Sequence, residues 1–257
     1  MSAIVKTDAI VLRAIRYGES SKIVTFFTRS HGKVTVIAKG ALRPKSGYGS
    51  SLEPMSHASV IFHLKDTREI QTLTQSDLVE SWRRLSEDLG TMSSGMKMIE
   101  LVNAVSEHRH EGSDLFTLLV DGLSRLNDAT KDPQISLYIF ESRLAGVLGY
   151  APDFTRCAVC RREMGDFPGD SPAAEFHLDK GGVLCTDCSG APGHRVSLSI
   201  RALGVLRLIS APRESAPETD AKTRAEIEAF LWSYLKFHIP GLKEMKTARV
   251  FTKIEQR

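Results

Sequence analysis

The sequence predicts an α+β chain in which a small β-barrel precedes a helical body interrupted by a cysteine module. Three observations predict it. Apolar residues come in short runs up to residue 78, their period lengthens from two to roughly 3.6 beyond residue 79, and all four cysteines fall within residues 157–188.

Five runs rich in β-branched and aromatic residues lie at 9–12, 23–27, 34–38, 60–64 and 70–73, a composition suited to strands. Turn-forming breaks stand at 18–21, 31–32 and 66–67, and a longer Ser/Gly-rich connection at 40–54 separates the third run from the fourth. Five short strands with the long connection in that place predict an OB-fold barrel over 1–79. An SH3-like barrel or a sandwich fragment is the alternative on pattern alone. Phe26 and Phe27 must point to opposite faces, because successive strand side chains alternate. One is therefore core, and the other is a candidate platform for base stacking.

The helical domain is expected over 80–152 and 196–257. Leu85, Leu89, Met92, Met96 and Ile99 recur at spacings of three and four and, with Trp82, predict one buried stripe. A second helix is expected over 114–126. A third opens at Asp132-Pro133, an N-cap acid followed by proline at the first helical position, and stops at Gly149. Two more are expected over 200–209 and 225–237, the latter carrying Ile227, Phe230, Leu231, Tyr234 and Leu235 and ending before Pro240. The segment 242–257 holds five Lys/Arg against two acids, which suits either a second basic contact or a solvated tail.

Between these helices, 153–195 reads as a zinc-ribbon-like module. Cys157-x2-Cys160 and Cys185-x2-Cys188 are separated by 24 residues, dense in Pro, Gly and Asp as a loop held by a staple would be. Two tight turns can aim four thiolates at one ion, so one structural Zn2+ per chain is expected on Cys157, Cys160, Cys185 and Cys188. A closed shell leaves no position for an activated water, and a lone redox Cys-x-x-Cys would not explain two pairs. His177, His194 and Asp187 stand near enough in sequence to replace a ligand, yet read as loop residues.

The net charge of +3 conceals an asymmetry: residues 1–50 carry nine Lys/Arg against two acids, a net +7, and the remainder sums to −4. A basic front on a mildly acidic body suits contact with phosphates; a solvated basic surface is the other reading of charge alone. The candidate DNA-binding residues are Arg13, Arg16, Lys22, Lys33, Lys39, Arg43 and Lys45. Arg16, with Tyr17, is expected in the first inter-strand loop, Lys22, Lys33 and Lys39 on or beside strands two and three, and Arg43 and Lys45 in the long connection. Such a site should bind single strands with little sequence preference and weaken with salt.

Absences narrow the field. No phosphate-cradling Gly-x4-Gly-Lys-Ser/Thr occurs, nor His-Glu-x-x-His, Gly-x-Ser-x-Gly or a compact acidic cluster for two magnesium ions. His108-Arg109-His110-Glu111 is read as an exposed polar helix end rather than a catalytic cluster. No window approaches the ~18 unbroken apolar residues of a membrane span, and the first residues lack a secretory core. A cytoplasmic protein without membrane contact is expected.

Tyr17-Gly18-Glu19-Ser20, Thr28, Gly32, Ala38-Lys39-Gly40-Ala41, Ser46 and Leu52-Glu53-Pro54 resemble the opening of RecO proteins. Leu148-Gly149-Tyr150-Ala151-Pro152-Asp153-Phe154 ahead of Cys157, and Gly181-Gly182-Val183-Leu184 ahead of Cys185, are similar to that family's zinc-bearing segment. The stretch 242–251, around Lys246 and Arg249, resembles the family's basic C-terminal stretch more loosely, with Thr247 and Ala248 departing from the pattern. The resemblance implies a non-enzymatic mediator of DNA repair and recombination in the bacterial cytoplasm, associated with the nucleoid. It implies binding of single- and double-stranded DNA and annealing of complementary strands without ATP. Its implied partners are RecR and the C-terminal tail of single-stranded-DNA-binding protein, with which such proteins load RecA recombinase onto coated strands. Some members lack the zinc cysteines, whereas this chain has all four. Two rivals remain: a zinc-ribbon regulator that recognises a specific duplex sequence, and a nuclease or nucleotidyl transferase, which the carboxylate pattern disfavours.

Overall fold

Side-chain alternation carries the front of the chain into strands, because every second residue finds an apolar interior. In the computed structural model, which describes residues 2–106, 112–165, 173–211 and 218–243, five strands close into a barrel. They are β1 (Ser2–Tyr17), β2 (Ser21–Thr28), β3 (Gly32–Ala38), β4 (His57–Lys65) and β5 (Ile70–Glu80), in the order β1-β2-β3-β5-β4. β1 pairs antiparallel with both β2 and β4, while β3 runs parallel to β5. This is the OB-type barrel expected; closure excludes the sandwich, and the parallel pair sets it apart from an all-antiparallel SH3-like barrel. Val11, Val24, Phe26, Val36, Val60 and Phe62 fill the interior, fully buried. Leu52, from a 3-10 turn at Gly49–Leu52 in the long connection, joins them.

Three helices follow: α1 (Arg84–Glu87), α2 (Leu89–Val105) and α3 (Ser113–Asn127). The expected single stripe does not survive. Asp88 is extended, at φ −120° and ψ 127°, and its carboxylate accepts a hydrogen bond from the Thr91 amide at 2.7 Å, so a new helix starts there. The register set by Leu85 and Trp82 is lost at that break. Leu85, Trp82 and Ile99 are buried, but Leu89 is 45% exposed and Met92 and Met96 are half-buried. Thr91, Ser94, Gly95, Met98 and Val102 form the inner face instead.

Helix α4 (Pro133–Val147) starts at the expected proline and is buried on nearly every side, as an apolar helix without a polar face must be. It ends where Gly149 adopts φ +89°. The cysteine module then departs from the expected loop: β6 (Asp153–Cys157), β7 (Ala173–His177), β8 (Gly182–Val183) and β9 (Arg195–Ser199) form a sheet in the order β6-β8-β7-β9. Phe176 and Val183, both buried, pair across β7 and β8 and overcome the turn-forming residues around them. Helix α5 (Ile200–Ser210) follows, and α6 (Ala221–His238) starts a turn earlier than expected, because Asp220 accepts from the Thr223 amide at 2.8 Å.

By contact the described residues divide into two compact units, 2–133 and 134–243. The boundaries expected after 79, 152 and 195 follow changes of element type; division by contact groups α1–α3 with the barrel and α4–α6 with the cysteine sheet. No helix among the described residues is long and apolar enough to cross a membrane.

Candidate nucleic-acid interface and metal centre

Strand register fixes which basic side chains share the outer surface of the barrel. Thr25 stands opposite Arg13 on β1 and Thr35 on β3, and Ile23 stands opposite Ile15 and Ile37. These pairs alternate with interior ones such as Ala14, Val24 and Val36, so they line the outside. The shift between Val11 and Arg13 leaves Leu12 unpaired, and this bulge turns Arg13 outward. Ile15 is 42% and Tyr17 56% exposed, and Arg13 and Lys39 are exposed beside them. The result is an open face of hydroxyl, aliphatic and aromatic groups edged by cations.

The end of that face gathers more charge. Arg16 stands opposite Lys22 at the end of β1, which runs to Tyr17, so Arg16 and Tyr17 belong to the strand and not to the loop expected for them. The Leu42 amide donates to the Ser20 carbonyl at 2.9 Å, tying the start of the long connection to the β1–β2 turn. Gly40 adopts φ +72°, and the Arg43 side chain lies against it, 3.5 Å from where a Cβ would stand. Arg16, Lys39 and Arg43 are all exposed on the segments that these pairings bring to one end of the barrel; Lys45 is exposed farther along the connection.

Two candidates are otherwise engaged. Lys22 donates to Glu53 at 2.7 Å and its side chain is only 16% exposed. Lys33 lies at the opposite end of β3 and donates to the Asn103 carbonyl on α2 at 2.8 Å, and burial lowers its pKa. It belongs to the junction between barrel and helices. So does Phe27, 1% exposed and 6.3 Å from Phe116 on α3, which removes it as a stacking platform; Phe26 is the core partner. Ile15, Ile23 and Ile37 were missed among the apolar runs. Only register shows them outside, and the bulge that sets it leaves no mark in composition.

The candidate metal centre lies in the second unit. The Sγ atoms of Cys157, Cys160, Cys185 and Cys188 all lie within 4.8 Å of one another, and this group can hold a metal ion. Cys157 ends β6, Cys160 closes the turn after it, and Cys185 and Cys188 bracket a 3-10 turn after β8. Tethers set the two knuckles side by side: the Ala158 amide donates to Val183 at 2.7 Å, and Arg162 pairs with Asp187 at 3.0 Å. Arg207 on α5 donates to the Phe154, Met164 and Gly165 carbonyls at 2.8, 3.0 and 3.2 Å, clamping both sides of the first knuckle. Burial opposes ionisation of Cys157, but backbone hydrogen bonds at Cys160, Cys185 and Val159 outweigh it and bring the thiol down to about 6. Hydrogen bonding to Cys185, together with burial, pushes Cys188 up to about 12.

Neighbouring residues stay out of the cluster. His177 is buried, with Nε2 2.9 Å from the Pro192 carbonyl, and it and His194 both face Asp179. Asp187 is held by Arg162. Of the remaining expectations, 108–111 and all of the basic tail beyond Lys243 lie outside the described residues.

Residues 1–82 match the family model described as Recombination protein O N terminal, and residues 86–247 match Recombination protein O C terminal. The chain is similar to the DNA repair protein RecO of Salinibacter ruber, 35% identical over 254 residues, covering 98% of this chain and 95% of that protein. It is also similar to the RecO of Streptomyces avermitilis, 32% identical over 94% of this chain and 97% of that protein. For the RecO of Bacillus subtilis the figures are 32% over 79% and 76%.

Proposed function

The chain belongs to the RecO family of DNA repair proteins, and on that premise we propose that it is a non-enzymatic recombination mediator. It binds single- and double-stranded DNA, anneals complementary strands without ATP and, with RecR, helps load RecA onto strands coated by single-stranded-DNA-binding protein, whose C-terminal tail it also binds. It works in the cytoplasm, at the nucleoid.

The observation that carries this reading is that exposed Arg16, Lys39 and Arg43 stand on the segments paired at one end of the barrel, beside an open face bearing Arg13, Tyr17 and three isoleucines. Two phosphate backbones repel each other; cations held on one surface screen both, and each counterion released favours the complex. Aliphatic and aromatic groups between the cations suit base faces of any sequence. The assigned DNA contacts are Arg13, Arg16, Lys39, Arg43 and Lys45, with Lys22 and Lys33 in supporting roles within the fold. No bond is made or broken.

Cys157, Cys160, Cys185 and Cys188 are the proposed ligands of one structural Zn2+. Bonds of ~2.3 Å in a tetrahedral shell separate neighbouring sulfurs by ~3.8 Å, and Cys160 and Cys185 stand 3.7 Å apart. The ion, when bound, supplies cross-linking and no reaction step, since four thiolates fill its shell.

The test is a fluorescence annealing assay on naked and coated single strands across a salt series. ATP-independent annealing that falls with salt and shows no preference among unrelated sequences is expected. Strong preference for one duplex would favour the regulator, and a magnesium-dependent product would favour an enzyme.

A further inference from the structure

We infer that Cys160 and Cys185 form a peroxide-sensitive modification site: their oxidation to a disulfide expels the metal ion while the ribbon keeps its fold. The inference rests on the zinc reading given above.

The four sulfurs are unequal. Cys157 is fully buried and Cys185 5% exposed, Cys188 is half-buried, and Cys160 alone of the four is exposed. A small oxidant from solvent therefore meets Cys160 first. Its sulfur lies 3.7 Å from that of Cys185, and a disulfide of ~2.05 Å requires the two to approach by roughly 1.7 Å. Cys160 ends the turn at 158–160, is exposed and is not among the residues of the packed cluster, so such a movement disturbs little packing.

The position of this pair decides the outcome. Cys160 belongs to the first knuckle and Cys185 to the second, so their disulfide replaces the cross-link that the ion supplied between the same two segments. A bond inside either Cys-x-x-Cys would join residues already tied by a tight turn and leave the knuckles unlinked. The other ties across the ribbon involve no sulfur: Ala158 to Val183, Arg162 to Asp187, and the Leu184 amide to the Glu175 carbonyl at 2.8 Å. They persist when the ion leaves.

The chemistry balances with hydrogen peroxide as oxidant. The Cys160 thiolate attacks the O–O bond, keeps one oxygen as a sulfenic acid and releases hydroxide, which takes up a proton as water. The Cys185 thiolate then attacks the Cys160 sulfur; the S–O bond breaks and a second proton carries that oxygen away as water. Two electrons pass from two thiolates to one peroxide. Cys157 and Cys188 remain, too few to retain the ion, and a thiol reductant restores all four ligands.

The experiment treats the full metal-loaded chain with hydrogen peroxide. Ion release is followed with a zinc-binding dye, the disulfide by peptide mapping without reduction, and the fold by circular dichroism. Released ion and a peptide linking Cys160 to Cys185 should rise together, one for one, with an unchanged spectrum, and reductant plus zinc should reverse both. Cys160→His keeps a ligand for the ion but cannot form the bond, and should slow release by roughly tenfold or more. A disulfide mapped within Cys157–Cys160 or Cys185–Cys188, release accompanied by loss of the native spectrum, or an unslowed Cys160→His would overturn the inference. Protein purified without zinc would instead refute the metal reading, and the peptide map would still decide which pair oxidises.

Discussion

The barrel and the cysteine ribbon are both small β structures, yet they are held together differently. The barrel closes every strand edge around thirteen buried apolar side chains, from Val5 to Leu73. The ribbon has strands of five, five, two and five residues, and two of the four buried members of the cluster around its knuckles are the cysteines Cys157 and Cys185. Burial stabilises the first without using its surface, which leaves that surface open to carry charge. The knuckles of the second bring four sulfurs together in place of such a core, and their surface is occupied by the ties that position them.

Perturbations should therefore separate the two. The largest effect is expected for Cys157→Ser, which removes a buried ligand. Structural zinc contributes on the order of 10 kcal/mol to folding in small metal-dependent domains, so zinc content should drop from about one per chain and solubility should be lost. Hydrogen exchange on whatever remains soluble should show β6–β9 unprotected while β1–β5 stay protected. A soluble, metal-free and well-folded variant would erase the contrast.

The converse substitution is Phe26→Ala. Emptying the barrel core of a fully buried ring should cost about 3–5 kcal/mol and melt the barrel ahead of the ribbon, with zinc retained. Concerted loss of both would mean that the units unfold as one.

Charge gives a smaller contrast inside the barrel itself. Lys39→Ala should reduce the dependence of log affinity on log salt by about 0.7–0.9, the loss of one phosphate contact. Lys33→Ala should leave that slope unchanged, because its ammonium already bonds the Asn103 carbonyl. Equal slopes for the two variants would undo the distinction between the open face and the helix junction.

The smallest effect concerns pH. His57 stacks on Trp82 at 6.0 Å between barrel and helices, and its buried Nε2 has no hydrogen-bond partner among the described residues. Burial lowers its pKa below the usual 6.5; Asp8 and Glu80 raise it and Arg29 lowers it further. Because the folded state holds the proton more weakly than the unfolded chain, stability should fall as the pH drops through the usual histidine range. His57→Phe should flatten the melting temperature between pH ~7 and ~5; an unchanged slope would place the titration elsewhere.

Much of this was legible in the sequence because it rests on local rules. Five apolar runs, the long connection, the Asp132-Pro133 helix start and the paired cysteines each carry their signal within a few residues. What was hidden depends on distant partners. The bulge at Leu12, the restart of the helix at Asp88, the α3 ring that covers Phe27, and the use of Lys22 and Lys33 inside the fold all require knowing which segments meet. The strands inside the cysteine module were obscured by their own turn residues, since β8 is only two residues long.

The most direct test of the central claim is the double variant Lys39→Glu with Arg43→Glu, which reverses charge where the long connection folds back against the β1–β2 turn. Annealing of complementary strands at low salt should be abolished while the circular-dichroism spectrum and zinc content stay those of the parent. Undiminished annealing by a natively folded double variant would contradict the account.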